Sequence, residues 1–279
     1  MLFFVAFRGL NDKKGMKGII LAGGTGTRLL PLTAVTSKQL LPVYDRPMIF
    51  YPLNTLIRAG ITDILIIVAP DHSGHFLNLL GSMFRRFGIN LSFVVQKSPR
   101  GLAEAFILAE DFLDGESATL VLGDNIFEDD FAEAIQSFGQ GGRIFAKEVP
   151  DPERFGVVEF DAAGKVISIE EKPASPKSTF AIPGIYIFDG SVVEIAKHLQ
   201  PSERGELEIT DLHRQYLEKG MLDVRVIQGA YFDTGTHESL FEASAYVREH
   251  DFKSRFDPRI NEAIAEFDVE FKKIVSIKK

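Results

Sequence analysis

An apolar run, Lys17-Gly18-Ile19-Ile20-Leu21-Ala22, leads directly into Gly23-Gly24-Thr25-Gly26-Thr27-Arg28-Leu29. Glycines at 23, 24 and 26 let a backbone approach a ligand closely and turn successive N–H groups toward an anion. Arg28 in the turn, and Lys38 ten residues on in Ser37-Lys38-Gln39-Leu40-Leu41-Pro42, add two cations, and the combination suits a triphosphate. The loop is no Walker motif, because no Gly-Lys-Ser/Thr follows at the required spacing. Nor is it the dinucleotide fingerprint, whose third glycine position is occupied here by Leu29. Without its cations, such a loop would read as an ordinary tight turn.

Other polar groups stand where strands end. Asp124 follows Thr119-Leu120-Val121-Leu122-Gly123, and in open α/β sheets ligands collect at the carboxyl ends of strands, so a carboxylate there faces the crevice. Asp233 lies 109 residues later (233 − 124), after the strand-like Val224–Ile227. An Asx-turn or a helix cap is the other common use of aspartate in such places. Gln96 ends the run Leu91–Val95 and carries both a donor and an acceptor, and by itself would read as a surface strand-end residue. Glu170-Glu171-Lys172-Pro173 closes a further strand with charge, and by itself would read as a solvated strand end. The six histidines form no His-Glu-x-x-His metal motif.

The elements that must hold these groups follow from the pattern of short β-branched runs. In the first half they alternate with segments of helical spacing, Met48–Ala59, Phe76–Phe87 and Leu102–Phe112, which implies repeated βα units and a mostly parallel sheet. From Arg143 to Phe188 strands succeed one another across short turns, which implies an antiparallel addition to that sheet. No Ser/Gly/Pro-rich linker divides the chain. The expected organisation is an N-terminal extension over residues 1–15, one α/β domain over 16–250 and a helical tail over 251–279, where Ile260, Ile264, Phe267, Phe271 and Ile274 form an amphipathic stripe.

At 279 residues, with 45% apolar and 25% charged side chains, the chain has the composition of a globular protein. A formal charge of −8 argues against a surface built for polynucleotide phosphates. No apolar run is long enough for a transmembrane helix, and the opening Met1-Leu2-Phe3-Phe4-Val5-Ala6-Phe7 lacks the basic start and cleavage site of a signal peptide. The absence of cysteine removes thiol chemistry and is compatible with the expected cytoplasmic location.

Several ordered motifs together carry a family resemblance. The stretch from Gly23 to Thr33, then Ser37 to Met48, Gln96-Lys97-Ser98-Pro99-Arg100-Gly101, Leu122-Gly123-Asp124-Asn125, Phe155-Gly156-Val157-Val158, Glu170-Glu171-Lys172-Pro173, Gly205 to Asp211 and Asp233-Thr234-Gly235-Thr236-His237-Glu238 resemble the sugar-1-phosphate nucleotidylyltransferases, over about residues 16–250. The resemblance implies a Rossmann-like three-layer α/β fold with a mixed, mostly parallel sheet and a β-rich sugar-binding portion. It implies attack of a hexose 1-phosphate on the α-phosphorus of dTTP, giving a dTDP-sugar and pyrophosphate. Since that nucleophile is already anionic, positioning and charge neutralisation suffice.

By the same resemblance Arg28, Lys38 and Lys172 are the catalytic cations. Gly23, Gly24, Thr25, Gly26, Thr27, Gln96 and Gly101 bind the nucleotide, and Gly156, Glu171 and Ile182 the sugar. Asp124 and Asp233 hold Mg²⁺. A homo-oligomer is expected. Phe155 stands where the family has Tyr, Tyr231-Phe232 where it has Trp-Leu, and Pro183 is unusual beside the sugar pocket, which bears on sugar preference. A uridylyltransferase using UTP, and a nucleotide-sugar-binding protein without turnover, are the alternatives.

Overall fold

The computed structural model describes residues 15–277, with side chains to residue 269. The extension expected over residues 1–15 therefore lies outside the described residues, Gly15 apart. The strands in chain order are β1 Met16–Ala22, β2 Pro42–Val43, β3 Arg46–Pro47, β4 Asp63–Val68, β5 Asn90–Val95, β6 Ser117–Leu122 and β7 Asn125–Phe127. They continue as β8 Gly142–Glu148, β9 Gly156–Phe160, β10 Val166–Glu171, β11 Phe180–Ala181, β12 Ile185–Phe188, β13 Leu222–Val226 and β14 Tyr231–Asp233. The α-helices are α1 Phe50–Arg58, α2 Ser73–Leu80, α3 Glu104–Leu108, α4 Glu110–Leu113, α5 Ala132–Gln136, α6 Val192–His198, α7 Ile209–Glu218, α8 His237–Glu249 and α9 Pro258–Ile277.

The main sheet runs β10-β9-β11-β8-β12-β6-β1-β4-β5, with β13 added in parallel to β8. β1 lies between β4 and β6, parallel to both, and β5 continues the parallel half beyond β4. β12 pairs antiparallel with both β6 and β8, and β9 pairs antiparallel with both β10 and β11. The chain thus builds the parallel half and the antiparallel addition that its strand spacing implies.

The near-continuous apolar runs are explained by burial on both faces of the sheet. Ile20, Ala22, Ile64, Ile66 and Val68 pack into one core with residues of α1, α2 and α8, whereas their neighbours Ile19, Leu65 and Ile67 point into a second core with residues of α3, α6 and α7. This two-residue alternation gives three layers, helices on sheet on helices.

Two helices differ from the expectation. The segment Phe76–Phe87 divides into α2 and a 3-10 turn at Arg85–Phe87, and Leu102–Phe112 divides into α3 and α4 at Ala109, whose φ −91° and ψ 2° leave the helical region. At the C-terminal end, Ile260 and Ala263 of α9 are buried in the first core and Ile264 packs against it. The side chains of Phe271 and Ile274 lie outside the described ones.

Candidate active site

A cavity of about 500 Å³ opens along the ends of β1, β5 and β6 and continues beside β9 and β10. It is lined by Gly24, Arg28, Lys38, Gln96, Gly101, Asp124, Gly156, Glu171, Lys172, Ile182 and Asp233. Residues more than 200 positions apart thus share one wall system. Gly23, Thr25, Gly26 and Thr27 do not line it. They form the loop behind, where Gly23 is held so close to Gln96 that a Cβ would lie 2.5 Å from its Oε1.

Two cross-chain tethers assemble the charged end. β14 pairs antiparallel with β7, Asp233 facing Asn125, and Thr234 donates to the Asp124 carbonyl from its N–H at 3.0 Å and its hydroxyl at 2.7 Å. The expected strand Val224–Ile227 is β13, so Asp233 has a separate short strand of its own. Thr236 and Ser239 then form a reciprocal capping box at the start of α8, which accounts for Thr236 in the motif.

Lys38 pairs directly with Asp124 Oδ2. Asn125 holds the other oxygen at 3.3 Å through Nδ2, while its own Oδ1 accepts from Gly184 N at 2.8 Å and the Tyr231 hydroxyl at 3.0 Å. Burial pushes the Asp124 carboxyl up, but the Lys38 ammonium more than offsets this and holds it below the ordinary range. Asp233 behaves oppositely, raised first by burial and then by the Asp124 charge. Arg28 and Asp233 both border Gly235, where a Cβ would meet Arg28 Nη2 at 2.5 Å and Asp233 Oδ1 at 3.1 Å, and the Arg28 charge, with that of Lys38, draws the Asp233 carboxyl down in part.

The pair is a hard-oxygen donor set, and Lys38 already pairs with one of its two carboxylates. Among the described residues no group of three or more His, Cys, Asp or Glu side chains is arranged to hold a metal ion. Two carboxylates supplemented by phosphate oxygens and water are what Mg²⁺ generally accepts, so the residues fit the ion.

Gln96 is 4% exposed, and its Nε2 donates to Glu104 Oε2 at 2.8 Å. An ionised carboxylate only accepts, so Glu104 fixes the amide with its oxygen turned toward the Gly23 loop. Arg100 locks the Glu104 carboxylate in turn, at 2.7 Å from Nε and 3.1 Å from its N–H. Gly101 lines the cavity, but its identity is set by packing. At φ +102° a Cβ would fall 2.3 Å from the Leu207 carbonyl, where Leu207 N binds Arg100 O and Ala103 N binds Leu207 O.

Beside the antiparallel strands the cavity has a different character. Glu171 accepts from Thr210 at 3.2 Å and faces Lys172 at 3.7 Å and Arg204 at 3.4 Å, while Arg204 bridges onward to Glu208 at 2.9 Å. Burial raises the Glu171 carboxyl, with Lys172 pulling it down and Glu208 adding to the rise. Lys172 has φ +41°, its N–H bound to the Phe155 carbonyl at 3.0 Å, and Ile182 N binds Gly156 O at 2.8 Å. Sequence reasoning missed Arg154, Arg204, Glu208 and Thr210 as lining residues. The last three stand in or beside Gly205–Asp211, a motif quoted without a role. Arg154 has no local signal, and approaches Asp233 at 3.9 Å only through the fold.

The sequence matches the nucleotidyl transferase family model over residues 17–250. It is 54% identical over 239 residues to the glucose-1-phosphate thymidylyltransferase of Neisseria meningitidis, covering 84% of this chain and 83% of that protein. The enzyme of the same name from Mycolicibacterium smegmatis is 51% identical, with 84% and 82% covered. Among solved structures, a Bacillus anthracis protein assigned as a glucose-1-phosphate thymidylyltransferase, in complex with a sucrose, superposes with a TM-score of 0.82 at 44% identity, covering 88% of this chain and 99% of that one. A UDP-glucose pyrophosphorylase complexed with UDP-glucose shares the fold, with a TM-score of 0.73 at 24% identity over 84% of this chain and 99% of that one.

Proposed function

The chain belongs to the nucleotidyl transferase family, and from that premise we propose that it makes dTDP-glucose and pyrophosphate from dTTP and glucose 1-phosphate. The observation that carries the reading is the convergence of two carboxylates, Asp124 and Asp233, with Arg28 and Lys38 at one end of a cavity whose other end presents Lys172 and Glu171. Anionic groups from two substrates can meet there and be neutralised together.

In this reading Arg28 and Lys38 hold the triphosphate and the departing pyrophosphate, and Lys172, assisted by Arg204, holds the phosphate of the sugar. The oxygen of that phosphate attacks the α-phosphorus of dTTP in line. The new P–O bond forms as the bond to the β-phosphate breaks, and no proton needs to move. Asp124 and Asp233 would hold Mg²⁺, which would supply positive charge where negative charge builds up on phosphate oxygens. Gln96 presents its Oε1 to the N3–H of thymine, with Gly101 alongside. Gly156, Glu171 and Ile182 surround the hexose, and Glu171 accepts from its hydroxyls.

Within this reading, residues 16–250 form the catalytic domain and residues 251–279 a helical tail, and the enzyme works as a homo-oligomer. No helix among the described residues is long and apolar enough to cross a membrane. A pyrophosphate-release assay over a grid of nucleoside triphosphates and sugar 1-phosphates tests the assignment. The expected result is the highest kcat/KM for dTTP with glucose 1-phosphate, and none without a divalent cation. UTP should be accepted less well, since one missing methyl is worth only about 1–3 kcal/mol in a pocket. A higher rate with UTP would turn the assignment to a uridylyltransferase, and no release with any pair would leave a binding protein.

A further inference from the structure

His213 has no place in the reaction described above. It lies on α7 three residues after Thr210, on the same face of the helix, and both side chains line the cavity beside Glu171 and Ile182. The imidazole is 0% exposed, and neither Nδ1 nor Nε2 has a hydrogen-bond partner among the described residues. Its ring stacks on Phe188 at 5.9 Å and is tilted against Tyr186 at 5.0 Å between centroids. Burial, with the Arg214 charge adding to it, pushes its pKa down to about 3, so the ring is neutral near pH 7, with one nitrogen a donor and the other an acceptor.

Such a residue is costly to the free protein. Apart from Thr210, whose hydroxyl is bound to Glu171, the other buried positions of this helix, Ile209, Leu212 and Tyr216, pack mostly apolar surface, and a leucine or phenylalanine at 213 would do the same without stranding polar atoms. A buried polar group without a partner calls for a specific explanation. The residue borders the cavity, and a polar group that enters there beside Glu171 and Ile182 would supply the missing partner.

We propose that His213 is a specificity-determining residue, one of whose ring nitrogens exchanges a hydrogen bond with a hydroxyl of the bound sugar. The site then selects hexose 1-phosphates that carry a hydroxyl at the ring position reaching α7. The proposal rests on the sugar 1-phosphate reading of the cavity, and sharpens it from a class of substrate to a requirement at one carbon.

The test measures kcat/KM for glucose 1-phosphate and its 2-, 3-, 4- and 6-deoxy analogues with the wild type, His213→Leu and His213→Asn, alongside thermal melting. The wild type should disfavour one analogue in particular by roughly tenfold or more, as expected where a polar site loses its partner. In His213→Leu that single penalty should collapse to near parity while Tm holds or rises. His213→Asn, which keeps a donor and an acceptor, should retain much of the penalty. Unchanged ratios in His213→Leu, or an equal loss for all five sugars with a lowered Tm, would overturn the proposal and mark His213 as packing only. If the wild type turns over none of the five, the parent reading fails and this one with it.

Discussion

The two ends of the cavity are built by different means. At the end proposed to hold the triphosphate, Arg28, Lys38 and Asp124 hang from loops that leave β1 and β6, neighbouring parallel strands buried on both faces. At the end proposed to hold the sugar phosphate, Glu171 and Lys172 leave β10, the outermost strand of the antiparallel part, and are steadied by Arg204, Glu208 and Thr210 around the start of α7. Charge at the first end is anchored by backbone geometry. At the second it depends on a network of long side chains, each of which holds another in place. Substitutions should therefore act locally at the phosphate end and spread at the sugar end.

The largest effect is expected for Asp124→Ala. It removes one of the two carboxylates and leaves Lys38 unpaired, and kcat should fall by about 10²-fold or more, as for loss of a preorganised electrostatic group. Pyrophosphate release under saturating substrates checks the rate, and a cooperative melt checks that the fold survives. Near-normal turnover would remove Asp124 from the charged centre.

Next in size is the division of labour between the ends. Lys172→Ala should raise KM for glucose 1-phosphate more than for dTTP, and Arg28→Ala the reverse. Each should do so by roughly ten- to a hundredfold, the worth of a charge-assisted contact of about 1.5–3 kcal/mol. If both variants impair the two substrates equally, the separation of the subsites fails.

A smaller, spreading effect is expected for Arg204→Ala. It releases Glu171 and Glu208 from their shared cation, so KM for the sugar phosphate should rise about tenfold or less, with little change for dTTP. An unchanged KM for the sugar phosphate would show that Glu171 needs no cross-brace.

The smallest is a pH effect at Glu171. Burial holds its carboxyl above the ordinary 4.5, so as the pH falls the acceptor for the sugar is protonated earlier than a free glutamate would be. The acid limb of kcat/KM for glucose 1-phosphate should therefore lie above 4.5 and vanish in Glu171→Gln, over a lower plateau. The stability sign is opposite to that of a paired carboxylate. The folded state keeps this proton more tightly than the unfolded one, so stability is lost as pH rises through the window above 4.5, and Glu171→Gln should flatten that part of the Tm profile. An acid limb retained in the glutamine variant would assign it elsewhere.

Base reading sharpens the phosphate end. Glu104→Gln would let the Gln96 amide turn, because a neutral amide can donate as well as accept. Discrimination between dTTP and dCTP should then weaken by a few-fold, about what one misdirected hydrogen bond is worth.

The sequence by itself determined what travels with short segments. Continuous apolar runs made the strands readable because β1, β4 and β6 are covered on both faces, and the glycine-rich turn with Arg28 and Lys38 could be recognised because strand, loop and cations lie within 23 residues of one another (38 − 16 + 1). The ordered motifs identified the family for the same reason. Only the tertiary structure decided which distant groups meet. Asp233 reaches Asp124 through the pairing of β14 with β7 and the two Thr234 bonds, and the amide of Gln96 is oriented by Glu104, which reads locally as an unremarkable helical glutamate. Arg204, Glu208 and His213 likewise owe their roles to the placement of α7 beside β10 and β12. Spacing along a chain records the periodicity of one element, whereas the energy of a charge or a buried imidazole depends on what the rest of the fold brings within a few ångströms.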